Sequence, residues 1–212
     1  MMSITRKSTL IILDWDDTLF PTTWVVRNGI DINNAFSRER YIVYFNELDL
    51  SLSRLLNKLM KCGKVIIVTN ALPEWVRLSS SILPRTHKVL EKIKVVSARK
   101  IYQSIIGDAM AWKILAFKNE LISEMRDKHI NNVISVGDAD YEYQALISLY
   151  KEDKRKTKLM KSVKFMKDPT HDILLDQLGV LESATFYICG KDKHLDLNFK
   201  ERPNRENFTN LY

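Results

Sequence analysis

Asp14-Trp15-Asp16-Asp17-Thr18 follows directly on the apolar run Leu10-Ile11-Ile12-Leu13. Asp14 and Asp16 are two residues apart, so while the backbone stays extended their side chains leave the same face. Two carboxylates aimed into one cleft repel each other and cost desolvation energy. A cation between them, or acid–base work, offsets that cost. Further groups suited to phosphate or metal follow other apolar runs. Thr69-Asn70 comes after Val65-Ile66-Ile67-Val68, and Gly137-Asp138 after residues 132–136, with Asp140 and Glu142 close behind. Lys113 stands near the start of a stretch with helical periodicity. The residues alone describe an acidic, cation-binding cleft with a lysine nearby.

Such a cleft needs elements that bring distant positions together. A short apolar run bounded by polar residues reads as a buried parallel strand. The aspartates then lie at its carboxyl end, where open α/β sheets place their ligands. Strands are predicted at 8–14, 65–68, 93–96, 132–136, 163–165 and 185–188. Between them, a helix is expected over 37–62, where Tyr41, Tyr44, Phe45, Leu48, Leu52, Leu55, Leu56 and Leu59 recur at helical spacing and Gly63 supplies a stop. Pro73 can open the next helix, and Pro84 breaks or restarts it. Helices are also expected over 111–125, 143–149 and 169–181. Strand–helix alternation of this kind predicts a doubly wound, Rossmann-like, mostly parallel α/β sheet with helices on both faces. Residues 1–195 would form one domain and 196–212 a flexible polar tail.

Composition narrows the function classes. The chain has 212 residues, 45% hydrophobic and 28% charged, enough for one soluble domain with a large core. The two cysteines, Cys62 and Cys189, make no disulfide framework, which points to a reducing compartment. Neither begins a Cys-x5-Arg loop, because positions 68 and 195 are Val and Leu, which argues against a cysteine-nucleophile phosphatase. The apolar run after the basic N-terminal residues is too short for a signal-peptide core, and nothing reaches membrane-span length. A soluble, cytoplasmic protein is expected. The net charge is +7, and Lys151, Lys154, Arg155, Lys156, Lys158, Lys161, Lys164 and Lys167 crowd one segment against only Glu152 and Asp153. Segment 151–167 is either a docking patch for an acidic partner or a solvated loop. The four histidines show no metal-ligand spacing.

These motifs, in this order, resemble the haloacid dehalogenase superfamily in its aspartate-based phosphatase branch. Asp14-Trp15-Asp16-Asp17-Thr18-Leu19 resembles the first motif and Val68-Thr69-Asn70 the second. Lys113 answers to the third-motif lysine, and Gly137-Asp138-Ala139-Asp140-Tyr141-Glu142 to the fourth. The match spans residues 8 to about 150.

The resemblance implies roles for these residues. Asp14 would attack phosphorus and form an aspartyl-phosphate, and Asp16 would act as general acid, then base. Mg2+ would be held by Asp14, the backbone carbonyl of Asp16 and Asp138. Thr69 and the Asn70 amide would bind the phosphoryl group, with Lys113 offsetting charge. Lys118 and Lys100 compete with Lys113, and Asp17 has an alternative role as a turn or helix cap. Glu142 stands where the family more often has Asp, so Glu142 and Asp140 compete to assist the metal. Trp15, Trp24, Trp75 and Trp112 either rim the cleft for an aromatic substrate or pack loops against the sheet.

Neither gap between motifs has room for a cap domain; 21–36 suffices for a flap only. Capless members of the family tend to act on macromolecules. The expected activity is therefore Mg2+-dependent hydrolysis of phosphoproteins, with phosphotyrosine ahead of phosphoserine. A polynucleotide terminal phosphatase and a non-catalytic scaffold for an acidic partner are the alternatives.

Overall fold

The structure, a computed structural model, describes residues 4–125 and 129–199, together with the backbone of 209–210. A 3-10 turn, Arg6–Ser8, leads into β1 (Thr9–Leu13), followed by α1 (Thr22–Arg27), α2 (Ala35–Arg40), α3 (Ile42–Cys62) and β2 (Lys64–Thr69). Next come α4 (Pro73–Ser81), α5 (Pro84–Leu90), β3 (Lys94–Ser97), α6 (Ala98–Tyr102), α7 (Ala109–Met125) and β4 (Asn132–Gly137). The chain continues through α8 (Asp140–Glu152), β5 (Leu159–Lys164), α9 (His171–Gly190), β6 (Leu195–Asn198) and β7 (Thr209–Asn210).

The strands form one sheet in the order β3-β2-β1-β4-β5-β6-β7, parallel except where β7 pairs with β6. All five residues of β1 are buried, as a central strand covered on both faces requires. Ile11 and Leu13 enter the core under α3 and α9, whereas Leu10 and Ile12 face α7 and α8. This is the doubly wound α/β architecture expected, and no insertion among the described residues builds a second domain. No helix of the described residues is long and apolar enough to cross a membrane.

One consequence of this order positions the site. From β1 the chain winds outward to β2 and β3, then returns to place β4 on the other side of β1. The carboxyl ends of β1 and β4 therefore flank a topological switch point, where parallel sheets open a crevice. At the amino end, Gly63 lets α3 turn tightly into β2: a Cβ there would lie 2.7 Å from the Thr9 carbonyl oxygen.

Several expected boundaries shift. The helix predicted over 37–62 is two, α2 and α3, broken at Tyr41. The strand predicted at 185–188 is the end of α9. Thr185, Phe186, Tyr187 and Ile188 favour strands locally, but Leu174, Leu178, Leu181, Thr185 and Ile188 make one buried helical stripe. Tertiary packing against α3 decides the outcome. The tail predicted from 196 instead begins with β6, where Leu195 and Leu197 are buried and Asp196 and Asn198 alternate outward. The remainder of that predicted tail, 200–208 and 211–212, lies outside the described residues.

Candidate functional site

Asp14 is the first residue beyond β1, and its backbone N–H donates to the Val136 carbonyl of β4 at 3.0 Å. That bond ties the end of β1 to the strand that presents Asp138. After Asp14 the chain turns sharply. Phe20 N–H returns to the Trp15 carbonyl at 2.9 Å, and Asp17 N–H donates to the Phe20 carbonyl at 2.7 Å. Asp17 takes φ 53°, a left-handed conformation that Asp tolerates better than most residues. Its carboxylate receives Thr23 N–H at 2.9 Å and the Thr23 hydroxyl at 2.5 Å, so Asp17 caps α1, the structural alternative among its two readings.

Lys113, on the first turns of α7, is 1% exposed and fully engaged. Its Nζ donates to Asp14 Oδ1 at 2.6 Å and to the Val68 carbonyl at 2.7 Å, and lies 2.7 Å from Glu142 Oε1. The ammonium thus donates two hydrogen bonds, and its contact with Glu142 is an ion pair. Burial alone would lower its pKa, but the Asp14 and Glu142 carboxylates outweigh that and hold it above the usual lysine range. Lys118 instead pairs with Glu152 and Lys100 is exposed, so Lys113 takes the lysine position in the cleft.

Glu142 is 4% exposed beside it, while Asp140 sits at the surface paired with Lys164. Of the two competing acids, the structure places Glu142 in the cluster. The close approach depends on Gly137: a Cβ at that position would fall 2.3 Å from Glu142 Cγ. Asp14, Asp138 and Glu142 each offer an oxygen, all within 4.8 Å of one another. Both Glu142 oxygens are buried with no hydrogen-bond partner among the described residues, Oε1 having only its ion pair with Lys113. Three carboxylates around one ammonium leave two negative charges in excess when all are ionised, the amount a divalent cation cancels. The excess is visible in the acids themselves. Burial, then the charges of Asp14, Glu142 and Asp17, pushes Asp138 up to about 8. Glu142 is raised as well, by burial first. An all-oxygen carboxylate set with an unpartnered oxygen fits a hard cation such as Mg2+.

Asp16 is held apart from this cluster. Its Oδ1 accepts the Thr22 hydroxyl and, at 2.7 Å, the Trp75 indole N–H, while Oδ2 receives no hydrogen bond among the described residues. Burial raises its pKa despite those two donors. The Asp16 carboxylate is not among the grouped oxygens of Asp14, Asp138 and Glu142. Thr69, at the end of β2, accepts Ala71 N–H at 3.0 Å, and its own hydroxyl proton has no acceptor among the described residues. The Asn70 side chain donates to the Ala109 carbonyl at 3.2 Å, pinning the loop after β2 to the start of α7.

The tryptophans mostly pack. Trp15 is fully buried, donating to Ser79 Oγ at 2.9 Å, and Trp24 lies among Tyr41, Tyr44, Phe45 and His171. Trp75 alone among them touches a site residue. The basic run 151–167 is not one patch either. Lys161 points inward, Lys158 pairs with Asp153, Lys164 and Lys167 reach Asp140, and Lys156 covers the Tyr150 ring.

Sequence reasoning missed Trp75 and Thr22 as partners of Asp16. Both fall at starts of helices whose fold-level placement no local pattern reveals. Compared with models of known protein families, with curated proteins and with solved structures, the chain finds no match.

Proposed function

We propose that the protein is a Mg2+-dependent phosphomonoester hydrolase that works through Asp14. The observation carrying this is the switch-point cluster: Asp14 on Lys113, with Asp138 and Glu142 in reach of one cation. The order of the four motifs, similar to that of aspartate-based phosphatases, supports the same assignment.

Asp14, Asp138 and Glu142 would hold the cation, which supplies neutralisation of the phosphoryl oxygens. An Asp14 carboxylate oxygen attacks phosphorus as the bond to the leaving oxygen breaks. Asp16, whose pKa burial raises, gives its proton to that oxygen from the unbonded Oδ2. The resulting Asp16 carboxylate then takes a proton from water, whose oxygen attacks the acyl phosphate. The Asp14–phosphorus bond breaks, phosphate leaves and Asp14 is restored. The Thr69 hydroxyl proton is available to the transferring group, and the Lys113 ammonium, hydrogen-bonded to Asp14 Oδ1, offsets charge on the nucleophile and the phosphoryl group. With no second domain over the cleft among the described residues, water would be excluded by the substrate itself, which favours a large phosphorylated partner, a phosphoprotein. Trp15 lies in the core and Trp24 packs half-buried against it, which leaves Trp75, bonded to Asp16, as the tryptophan that a phosphotyrosine ring would meet.

Hydrolysis of an aryl phosphate with Mg2+ tests the chemistry. The expected result is turnover lost on chelation and reduced by about 10³-fold or more in Asp14→Asn. No turnover by the wild type, or an unimpaired variant, would overturn it. Phosphopeptides should then outcompete a 3′-phosphorylated oligonucleotide; the opposite preference, with steep salt dependence, would sink the phosphoprotein assignment.

A further inference from the structure

At the amino end of the sheet, opposite the carboxylate cluster, lies a cavity of about 710 Å³ lined by Arg6, Lys7, Lys61, Lys64 and Lys92. The five cations come from three stretches of the chain. Arg6 and Lys7 belong to the turn before β1, Lys61 to the last turn of α3, Lys64 to the start of β2, and Lys92 to the loop between α5 and β3. No carboxylate lines the cavity. Some cations elsewhere have carboxylate partners, as Lys94 with Glu120, Arg85 with Asp49 and Lys118 with Glu152. None of the five has such a partner among the described residues.

Folding brings like charges together here at an electrostatic cost that a counter-anion would relieve. The volume of this half-open cavity indicates what kind of anion. A groove for a nucleic-acid strand is long and open, whereas this cavity has the volume of a small-ligand site. Gly63 adds no side chain to its wall, and Met60 and Val65 give it an apolar side. Singly charged ligands would leave most of the cations unanswered; two or three linked phosphates would not.

We propose that this cavity binds a compact polyphosphate, two or more linked or neighbouring phosphates, supplied either free or as a lipid headgroup. The site is separate from the proposed catalytic cleft and does not depend on its activity.

Calorimetric titration of the whole chain in metal-free buffer tests this, since without a cation the carboxylate cleft repels anions. The probes are tripolyphosphate, inorganic phosphate, and vesicles of neutral lipid with or without a phosphatidylinositol bisphosphate. Tripolyphosphate is expected to bind one-to-one, at least about tenfold tighter than inorganic phosphate, and to weaken with salt. Lys61→Glu with Lys92→Glu should abolish that binding, and Lys61→Gln with Lys92→Gln should weaken it, with melting temperature not lowered and aryl-phosphate turnover unchanged. Additional binding to the phosphoinositide vesicles, lost in the same variants, would identify a headgroup as a source, and its absence would assign free polyphosphate. No saturable tripolyphosphate binding, binding indifferent to both double variants, or tighter binding of a mixed-sequence oligonucleotide would overturn the proposal.

Discussion

The two sides of the sheet each bury a lysine completely, and they hold it in opposite ways. Lys113, near the carboxyl ends of the strands, meets Asp14 and Glu142. Lys161 of β5 meets only backbone: its Nζ donates to the Ile188 and Cys189 carbonyls at 2.7 and 3.1 Å, the last turn of α9. Burial pushes any ammonium towards neutrality. At Lys161 burial wins, bringing its pKa down to about 8. At Lys113 the carboxylates win, and the charge is locked in. A buried lysine is therefore not a functional signal by itself. Lys161 supplies a helix end with donors for its orphan carbonyls, whereas Lys113 is the fixed countercharge of an acidic cleft.

Removing each ammonium should separate the two roles most sharply. Lys113→Met leaves Asp14 and Glu142 facing each other with no cation between them. Aryl-phosphate turnover should fall by about 10³-fold, and metal-free stability by about 3–5 kcal/mol, with Mg2+ restoring part of the stability. Lys161→Met breaks two hydrogen bonds to carbonyls and should cost about 1–3 kcal/mol, with turnover intact. Equal stability losses in urea unfolding, or equal turnover losses, would erase the distinction.

The difference also explains what the sequence could show. Asp14, Thr69 and Asp138 were legible because each is the residue that ends an apolar run or follows it closely, and a parallel sheet brings strand ends together. Lys113 needed only a helix start. Lys161 offered no such clue: within Leu159–Lys164 it looks like one more cation of a basic run, and only the docking of α9 turns it inward. The basic cavity at the amino end is assembled from three separated stretches, around residues 6–7, 61–64 and 92, which only the fold brings together. The strand expected at 185–188 failed for a related reason, since β-branched and aromatic residues there serve a helical stripe facing α3.

The acidic side can be sharpened through Asp138. Its ordinary pKa of 3.8 applies in the unfolded chain, against about 8 in the fold. Between those values the folded state holds a proton that the unfolded state lacks, so metal-free stability should fall as pH rises through that window. A cation has to displace the same proton. Mg2+ affinity, read from the shift in melting temperature, should therefore climb by about tenfold per pH unit between pH 6 and 8 and then level. In Asp138→Asn the climb should flatten. An unchanged slope in the variant would take Asp138 out of the metal set.

Lys161 should show the opposite pH dependence, over a different window and with a smaller effect. Its folded value of about 8 lies below the ordinary 10.5 of the unfolded chain. From about pH 8 to 10.5 the unfolded state binds the extra proton, so stability contributed at this site rises as the solution becomes more alkaline. The gain amounts to about 1–3 kcal/mol, or a few degrees in melting temperature, and it sits on a background of other titrations common to wild type and variant. The informative quantity is therefore the wild-type minus Lys161→Met difference in unfolding free energy. That difference should grow in favour of the wild type across pH 8 to 10.5, because the neutral amine still donates to Ile188 and Cys189 without the cost of a buried charge. A difference that shrinks over the same range would mean that the α9 carbonyls hold the charged form as firmly as Asp14 and Glu142 hold Lys113, and the two sides of the sheet would then treat their lysines alike.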